Sequence, residues 1–316
     1  MSNFLQLLMN EQIKLYLRKS TWIMYILISV LVVGLAFLSN YGAEQMETYQ
    51  DENWRQTLQD ENAELQKEME QDDMTQGWNT QQIEENNYYL DHDIQPRSYD
   101  AWQFVMENKF LLSLVSLLTI IVAAGIIANE FKWGTIKLLL IRPITRTKIL
   151  ASKYVSVLLF ALFTLLYVLI FSWFVGALFF GINGMDPHIV LSQDEGFVYV
   201  SVIQQIIEGY GLQLITLVMM ATFAFMISAI FRQSSLAIGI AIFLMLSGNA
   251  IVSFFAEYSW AKYILFANTN MDQYVNGSPM FEGMSLGFSL TVLAVYYVIF
   301  LAISWVFFTK RDVAGH

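Results

Sequence analysis

A chain of 316 residues has room for two soluble domains, but 56% hydrophobic residues against 14% charged is not a soluble composition. The formal net charge of −10 is spread unevenly, and the absence of cysteine excludes disulfides and thiolate metal sites. Three scattered histidines, His92, His188 and His316, do not suggest a protein-only metal site, so none is expected.

In chain order, residues 1–20 set apolar Phe4, Leu5, Leu8, Ile13 and Leu17 among Glu11, Lys14, Arg18 and Lys19. That spacing predicts a short amphipathic helix at a membrane interface; the alternative is a flanking tail whose basic residues only orient the next segment. Ser20–Ala43 is the first of six windows without Asp, Glu, Lys, Arg or His. The others are Phe110–Asn129, Tyr154–Met185, Gly209–Phe231, Gln233–Ala256 and Gly283–Thr309. Each reaches the roughly 20 residues that carry a helix across a hydrocarbon core of about 30 Å. None shows the period-2 alternation of barrel strands, so the expected fold is an all-α integral membrane protein. Its six transmembrane helices fall at 21–41, 109–129, 154–180, 209–231, 233–256 and 285–309. No small-x-small cleavage site follows the first, in SNYGAE, so it reads as a retained anchor rather than a cleaved signal.

The connecting segments divide by charge. Residues 42–108 hold 17 acidic residues against Arg55, Lys67, Arg97 and, at the margin, Lys109. There Trp54, Leu58, Leu65 and Met69 recur at helical spacing and predict a helix over about 44–73, stopped by Gly77, with a further break at Pro96. The stripe is thin, which suits a solvated acidic helix better than one packed on a partner copy. DENWRQTLQDE lacks the glycine-containing loop of an EF-hand. Residues 130–153 form a basic connector, and 181–208 a second loop ending in a short helix at FVYVSVIQQIIEGYG. FRQSS joins spans four and five. Residues 257–284 place Tyr258, Trp260, Tyr263 and Tyr274 as an interfacial belt, and 310–316 form a tail.

Of the 17 Lys and Arg, twelve lie in the N-terminal tail, the 130–153 connector, the Arg232 turn and the C-terminal tail. All acidic residues except Glu11, Glu130 and Asp312 lie in the alternate loops. The positive-inside rule therefore puts both termini and the connector in the cytoplasm, and the long acidic loop outside it.

Charge-free spans disfavour an ion-driven transporter. Asn249, with Ser247 and Ser253, is the most polar intramembrane candidate for a substrate cavity; an interhelical hydrogen bond is the plainer role. Gly239 and Gly248 suit close helix approach. No G-x-x-x-x-G-K-S/T, G-x-S-x-G or H-E-x-x-H string occurs, so neither an enzyme nor a nucleotide site of these kinds is expected in this chain. The connector, hemmed between two spans, is not a nucleic-acid patch.

That connector, NEFKWGTIKLLLIRPITRTKIL, carries an apolar face of Trp133, Ile136, Leu139, Leu140 and Ile144 opposite Lys132, Lys137, Arg142, Arg146 and Lys148. Pro143 pushes Arg142 out of helical dihedrals, so a short helix ends near Ile141, and Thr145 is placed to cap the next one. Glu130, Gly134-Thr135, Leu139-Leu140, Pro143, Arg146 and Lys153 resemble the E-x-x-x-G-T…L-L…P-x-x-R…K signature of bacterial ABC-2 type transporter permeases, including the bacitracin- and lantibiotic-resistance branch. Six spans, the long loop after the first and YILFANTN before the last extend the likeness over nearly the whole chain.

The resemblance implies an exporter transmembrane domain of the type V-like architecture, in the cytoplasmic membrane of a bacterium. It implies that Glu130, Trp133, Gly134, Thr135, Leu139, Arg142, Pro143 and Arg146 form or position a coupling helix docking on a separate ABC ATPase subunit. The N-terminal helix, with Lys14 and Arg18, would accompany it. ATP and Mg would be bound by that partner, with no cofactor in this chain. A second permease copy or paralogue would complete a dimer among membrane lipids. The substrate would be hydrophobic or amphipathic: an antimicrobial peptide, a lipid or a drug. The alternative function is a membrane sensor or assembly protein whose acidic outer loop binds a peptide or envelope partner.

Overall fold

The computed structural model describes residues 3–43, 53–71, 76–136, 144–185, 187–193, 196–231, 233–275 and 279–310. They are mostly helical. An N-terminal helix α1 (Asn3–Tyr16) precedes α2 (Lys19–Ala43), α3 (Trp54–Gln71), α4 (Gln76–Asp91) and α5 (Ala101–Glu107). Then come α6 (Leu111–Lys132) and α7 (Arg146–Phe180), a β-hairpin, and α8 (Val202–Ile230), α9 (Ser234–Phe254) and α10 (Leu286–Lys310). Six stretches are long and apolar enough to cross a bilayer: Lys19–Asn40, Ala101–Lys132, Arg146–Phe180, Val202–Ile230, Ser234–Phe254 and Leu286–Lys310. The chain is a multi-pass membrane protein.

Helices α7 and α8 begin well before their charge-free windows. At 1.5 Å per residue the 35 residues of α7 span about 52 Å, well beyond a hydrocarbon core of about 30 Å. A window that stops at the first charge starts this span at 154, whereas the helix begins at Arg146 and carries Lys153 inside it. The predicted short helix at 197–211 is corrected in the same way. Phe197–Ser201 is a strand, and Val202 opens the uninterrupted α8.

The chain divides into two units. The first comprises Met1–Ile28, Phe110–Val168 and Tyr210–His316. Its core is built on α6, which is apolar all round and buried along most of its length, as such a helix must be. Ala123, Ala124 and Ala128 keep α6 slim enough for Phe160 of α7 and Phe225 of α8 to pack in the same core cluster. Ser228 of α8 accepts hydrogen bonds from the backbone N–H groups of Ile127 and Ala128, both at 3.1 Å, a polar tie between apolar helices. A Cβ added to Gly248 of α9 would lie 2.4 Å from the Phe266 ring, so this glycine does permit a close approach; Gly239 has open space around it.

The second unit comprises Ser29–Lys109 and Leu169–Gly209. Here α3 and α4 form a helical hairpin, and the stripe predicted to face solvent is covered by its own chain. Trp54 and Leu58 pack with Tyr89 of α4 and Val190. The middle of the interface is polar: Asn62 donates to Asn87 and accepts from Asn86, at 3.0 and 2.9 Å, and Asn79 donates to Glu68. Gly77 lies in the first turn of α4 rather than ending α3. Of the predicted 44–73 helix, residues 44–52 and 72–73 lie outside the described residues. The unit also adds one β-hairpin to the otherwise helical architecture. Strands β1 (His188–Gln193) and β2 (Gly196–Ser201) pair antiparallel, from His188 with Ser201 to Gln193 with Gly196.

Candidate functional site

Of the predicted connector residues, Leu139, Arg142 and Pro143 lie outside the described residues, as does the helix expected to end near Ile141. The ends of the connector are well placed. Helix α6 finishes with Trp133 N–H bonded to Asn129 O, and Gly134 comes next at φ +71, a left-handed turn that glycine adopts without steric cost. That turn swings the chain back on itself. The Thr135 hydroxyl donates to the Glu130 carboxylate one turn earlier. The E-x-x-x-G-T spacing thus has a geometric reason: the glycine lets the threonine reach the glutamate.

Glu130 is also the hub of four charges. Lys153 Nζ lies 3.0 Å from Glu130 Oε1 and 2.7 Å from Glu11 Oε2. Lys14 Nζ bridges the same two carboxylates, 3.0 Å from Glu11 Oε1 and 3.2 Å from Glu130 Oε1. The side chains of Lys153, Glu11 and Glu130 are only 1%, 8% and 6% exposed, while that of Lys14 is 44% exposed. Two carboxylates and two ammoniums close the ring with no net charge, the condition under which charges tolerate removal from water. Burial disfavours the Lys14 ammonium, but Glu11 and Glu130 outweigh it and raise its pKa above the ordinary lysine value. Three segments distant in sequence, α1, the end of α6 and the base of α7, are fastened at one point.

Further contacts widen the fastening. Gln12 donates to Ser156 O at 3.0 Å, joining α1 to α7. The Arg18 guanidinium lies over the Trp133 ring, 5.3 Å from its centre. Where the connector re-enters helix, Thr145 accepts from Lys148 N–H at 3.4 Å. Arg146 donates to Thr309 O at 2.9 Å, meeting a carbonyl in the last turn of α10, and Trp305 donates to Thr147 at 3.1 Å.

The sequence-predicted residues therefore separate. Glu130, Thr135 and Lys14 join the cluster, with Gly134 shaping it; Trp133 and Arg18 pair beside it, and Arg146 anchors to α10. Sequence reasoning named Lys153 only as the last residue of the signature and Glu11 only within the N-terminal helix, and paired neither with the rest of the cluster. Lys153 was visible as an isolated cation between Ser152 and Tyr154, both buried, but its partners are 23 and 142 residues away. Asn249 is exposed on α9 and lines a cavity near the far end of the helix; Ser247 and Ser253 are not part of its lining. The ion cluster contains no nucleophile paired with a base; its geometry suits holding segments together.

The chain belongs to the family described as protein of unknown function DUF2705, whose model matches residues 74–314. It is 42% identical over 317 residues to the uncharacterized protein YhcI of Bacillus subtilis (strain 168), covering 98% of this chain and all of that protein. It is 32% identical over 203 residues to the uncharacterized membrane protein YdbK of the same organism, covering 63% of this chain and 78% of the relative.

Proposed function

We propose that this member of the family is the permease subunit of an ATP-driven ABC-2 type transporter, exporting a hydrophobic or amphipathic substrate across a bacterial plasma membrane. ATP and Mg would be held by separate ATPase chains docked on the connector, and a second permease copy or paralogue would complete the path. The cytoplasmic placement of the connector and both termini rests on the distribution of lysine and arginine.

The observation that carries this reading is the closed ion cluster on the residues of the E-x-x-x-G-T…K string. A connector that receives force from an ATPase has to pass it to the spans without yielding. Glu130 ties the start of the connector to Lys153 on α7 and, through Glu11 and Lys14, to α1, while Arg146 ties its end to α10. Displacement of the connector then moves α6 and α7 together with the N-terminal helix instead of bending a loop.

The test starts from a chain free of cysteine. A tagged chain purified in mild detergent from its native cells should retain an ATPase subunit, and Glu130→Ala should lose it while the protein still reaches the membrane. A single cysteine at the exposed Lys148 should react with an impermeant maleimide only after the cells are opened. Labelling of intact cells would place the connector outside and refute the proposal. A correctly oriented chain that retains no ATPase in any nucleotide state would favour the sensor or assembly reading.

A further inference from the structure

The cavity reached by Asn249 belongs wholly to the first unit and is lined by α6, α8, α9 and the 3₁₀ segments before α10. It measures about 200 Å³. Drug-sized ligands occupy roughly 300–1,000 Å³, so the space fits a head group and not a whole amphiphile. Asn249 lies five residues before the end of α9, about 8 Å along its axis, which sets the cavity near a membrane boundary rather than at mid-depth.

Its lining is chemically one-sided. Ser116, Gln213, Thr216 and Asn249 are neutral, and Asp272 is the single charged residue. Two of the neutral groups are already engaged: Gln213 donates to Ser116 at 3.2 Å and Thr216 to Thr269 O at 2.7 Å. The Asn249 amide and the Asp272 carboxylate form no side-chain hydrogen bond or ion pair among the described residues. The nearest cation in sequence, Lys262, is parked over the Tyr263 and Phe288 rings, 5.6 and 5.7 Å from their centres. The remaining wall is Met220, Met245 and the Phe266 ring, soft apolar groups that suit a weakly hydrated cation. One turn back along α9 from Asn249, Leu246 is 71% exposed, and Phe243 beyond it 64% exposed.

We propose that this cavity binds the ammonium head of a cationic amphiphile, with Asp272 as counter-ion and the alkyl chain laid along Leu246 and Phe243. The carboxylate supplies charge, the Phe266 face and the methionines accommodate alkylated nitrogen, and the exposed apolar face of α9 takes the tail. The inference gives the proposed transporter a substrate class; binding itself is independent of that reading, and only the later export of the bound amphiphile rests on it.

The test is equilibrium binding of radiolabelled dodecyltrimethylammonium to the full-length chain in dodecyl maltoside, with no ATPase present. Saturable binding near one per chain is expected, weakened about tenfold or more by Asp272→Asn, which removes the charge. Asn249→Leu should also weaken it by blocking the mouth while leaving the charge, and Glu282→Gln, outside the lining, should not. Binding that does not saturate, or that is equal in wild type and Asp272→Asn, overturns the proposal. Displacement by choline at concentrations as low as those of the long-chain probe overturns the amphiphile assignment, because it would mark a site for a free solute. Intact binding without ATP-dependent efflux of the probe would instead count against the transporter reading.

Discussion

The two units bury polar groups in opposite ways. In the first, four full charges converge on one point and fasten α1, α6 and α7, with partners up to 142 residues apart. In the second, neutral amides with carboxylates at the edge fasten a hairpin whose partners lie 11 to 25 residues apart, from Asn79 with Glu68 to Asn62 with Asn87. A local hairpin loses little chain entropy on closing and holds with hydrogen bonds worth about 0.5–1.5 kcal/mol each. A junction of distant segments gains from charges that accept few alternative partners once buried, because leaving one unpaired is costly.

The sharpest way to break that contrast is Lys153→Met. It leaves two carboxylates facing one half-exposed ammonium and should cost about 3–5 kcal/mol in chemical unfolding of the first unit in detergent. Combining it with Glu130→Gln leaves the neutral Glu11–Lys14 pair, so the double variant should recover part of the loss. If the double variant loses as much as the two singles added together, the four groups do not act as a closed ring.

The second unit should answer more weakly. Asn86→Leu removes the donor to Asn62 and should cost about 1–3 kcal/mol, read as faster amide exchange confined to α3 and α4. A comparable rise in exchange along α6 would show that the two units do not respond separately.

Gly134→Ala tests the turn that returns Thr135 to Glu130. Nothing within 4 Å would meet the new Cβ, so only the left-handed backbone at φ +71 opposes it, and the expected loss is about 1 kcal/mol. Thr135→Val should match it in size if the hydroxyl is the purpose of the turn.

These variants also mark what the sequence made legible. Six spans were readable because uncharged windows of this length have few other uses. The Gly-Thr pair was readable as a motif, but its reason needed the positive φ at Gly134 and the position of the Glu130 carboxylate. The pairing of Glu11 with Lys153 was hidden because it spans 142 residues, whereas charge patterning is readable in sequence mainly across a helical turn, as for Glu11 and Lys14. The β-hairpin did leave a signal. HIVLSQ and GFVYVS are β-rich runs separated by Asp194-Glu195, with Gly196 at φ +123, but Asp-Glu is not among the two-residue pairs that mark a hairpin turn. The α3–α4 interface was harder, since an asparagine at its middle reads in sequence as a solvated position.

The smallest expected effect concerns pH and the second unit alone. Burial pushes the Glu85 carboxyl above its ordinary pKa, and the nearby Glu61 pushes it further in the same direction. The folded hairpin therefore holds this proton more tightly than the unfolded chain does. By linkage, the contribution to stability is fully present below the unfolded pKa and is lost as pH rises through the folded value. Amide exchange in α3 and α4 should accordingly be slower in mild acid than at neutrality, after correction for the intrinsic pH dependence of exchange. Glu85→Gln should flatten that slope and slow exchange at neutral pH by keeping a neutral group where the carboxylate is disfavoured. The first unit offers the contrasting control. Lys14 is held above its usual pKa, so its contribution is constant across this range and is lost only as alkaline pH passes the raised value. A slope that persists in Glu85→Gln would assign the acid response of the hairpin to its other carboxylates.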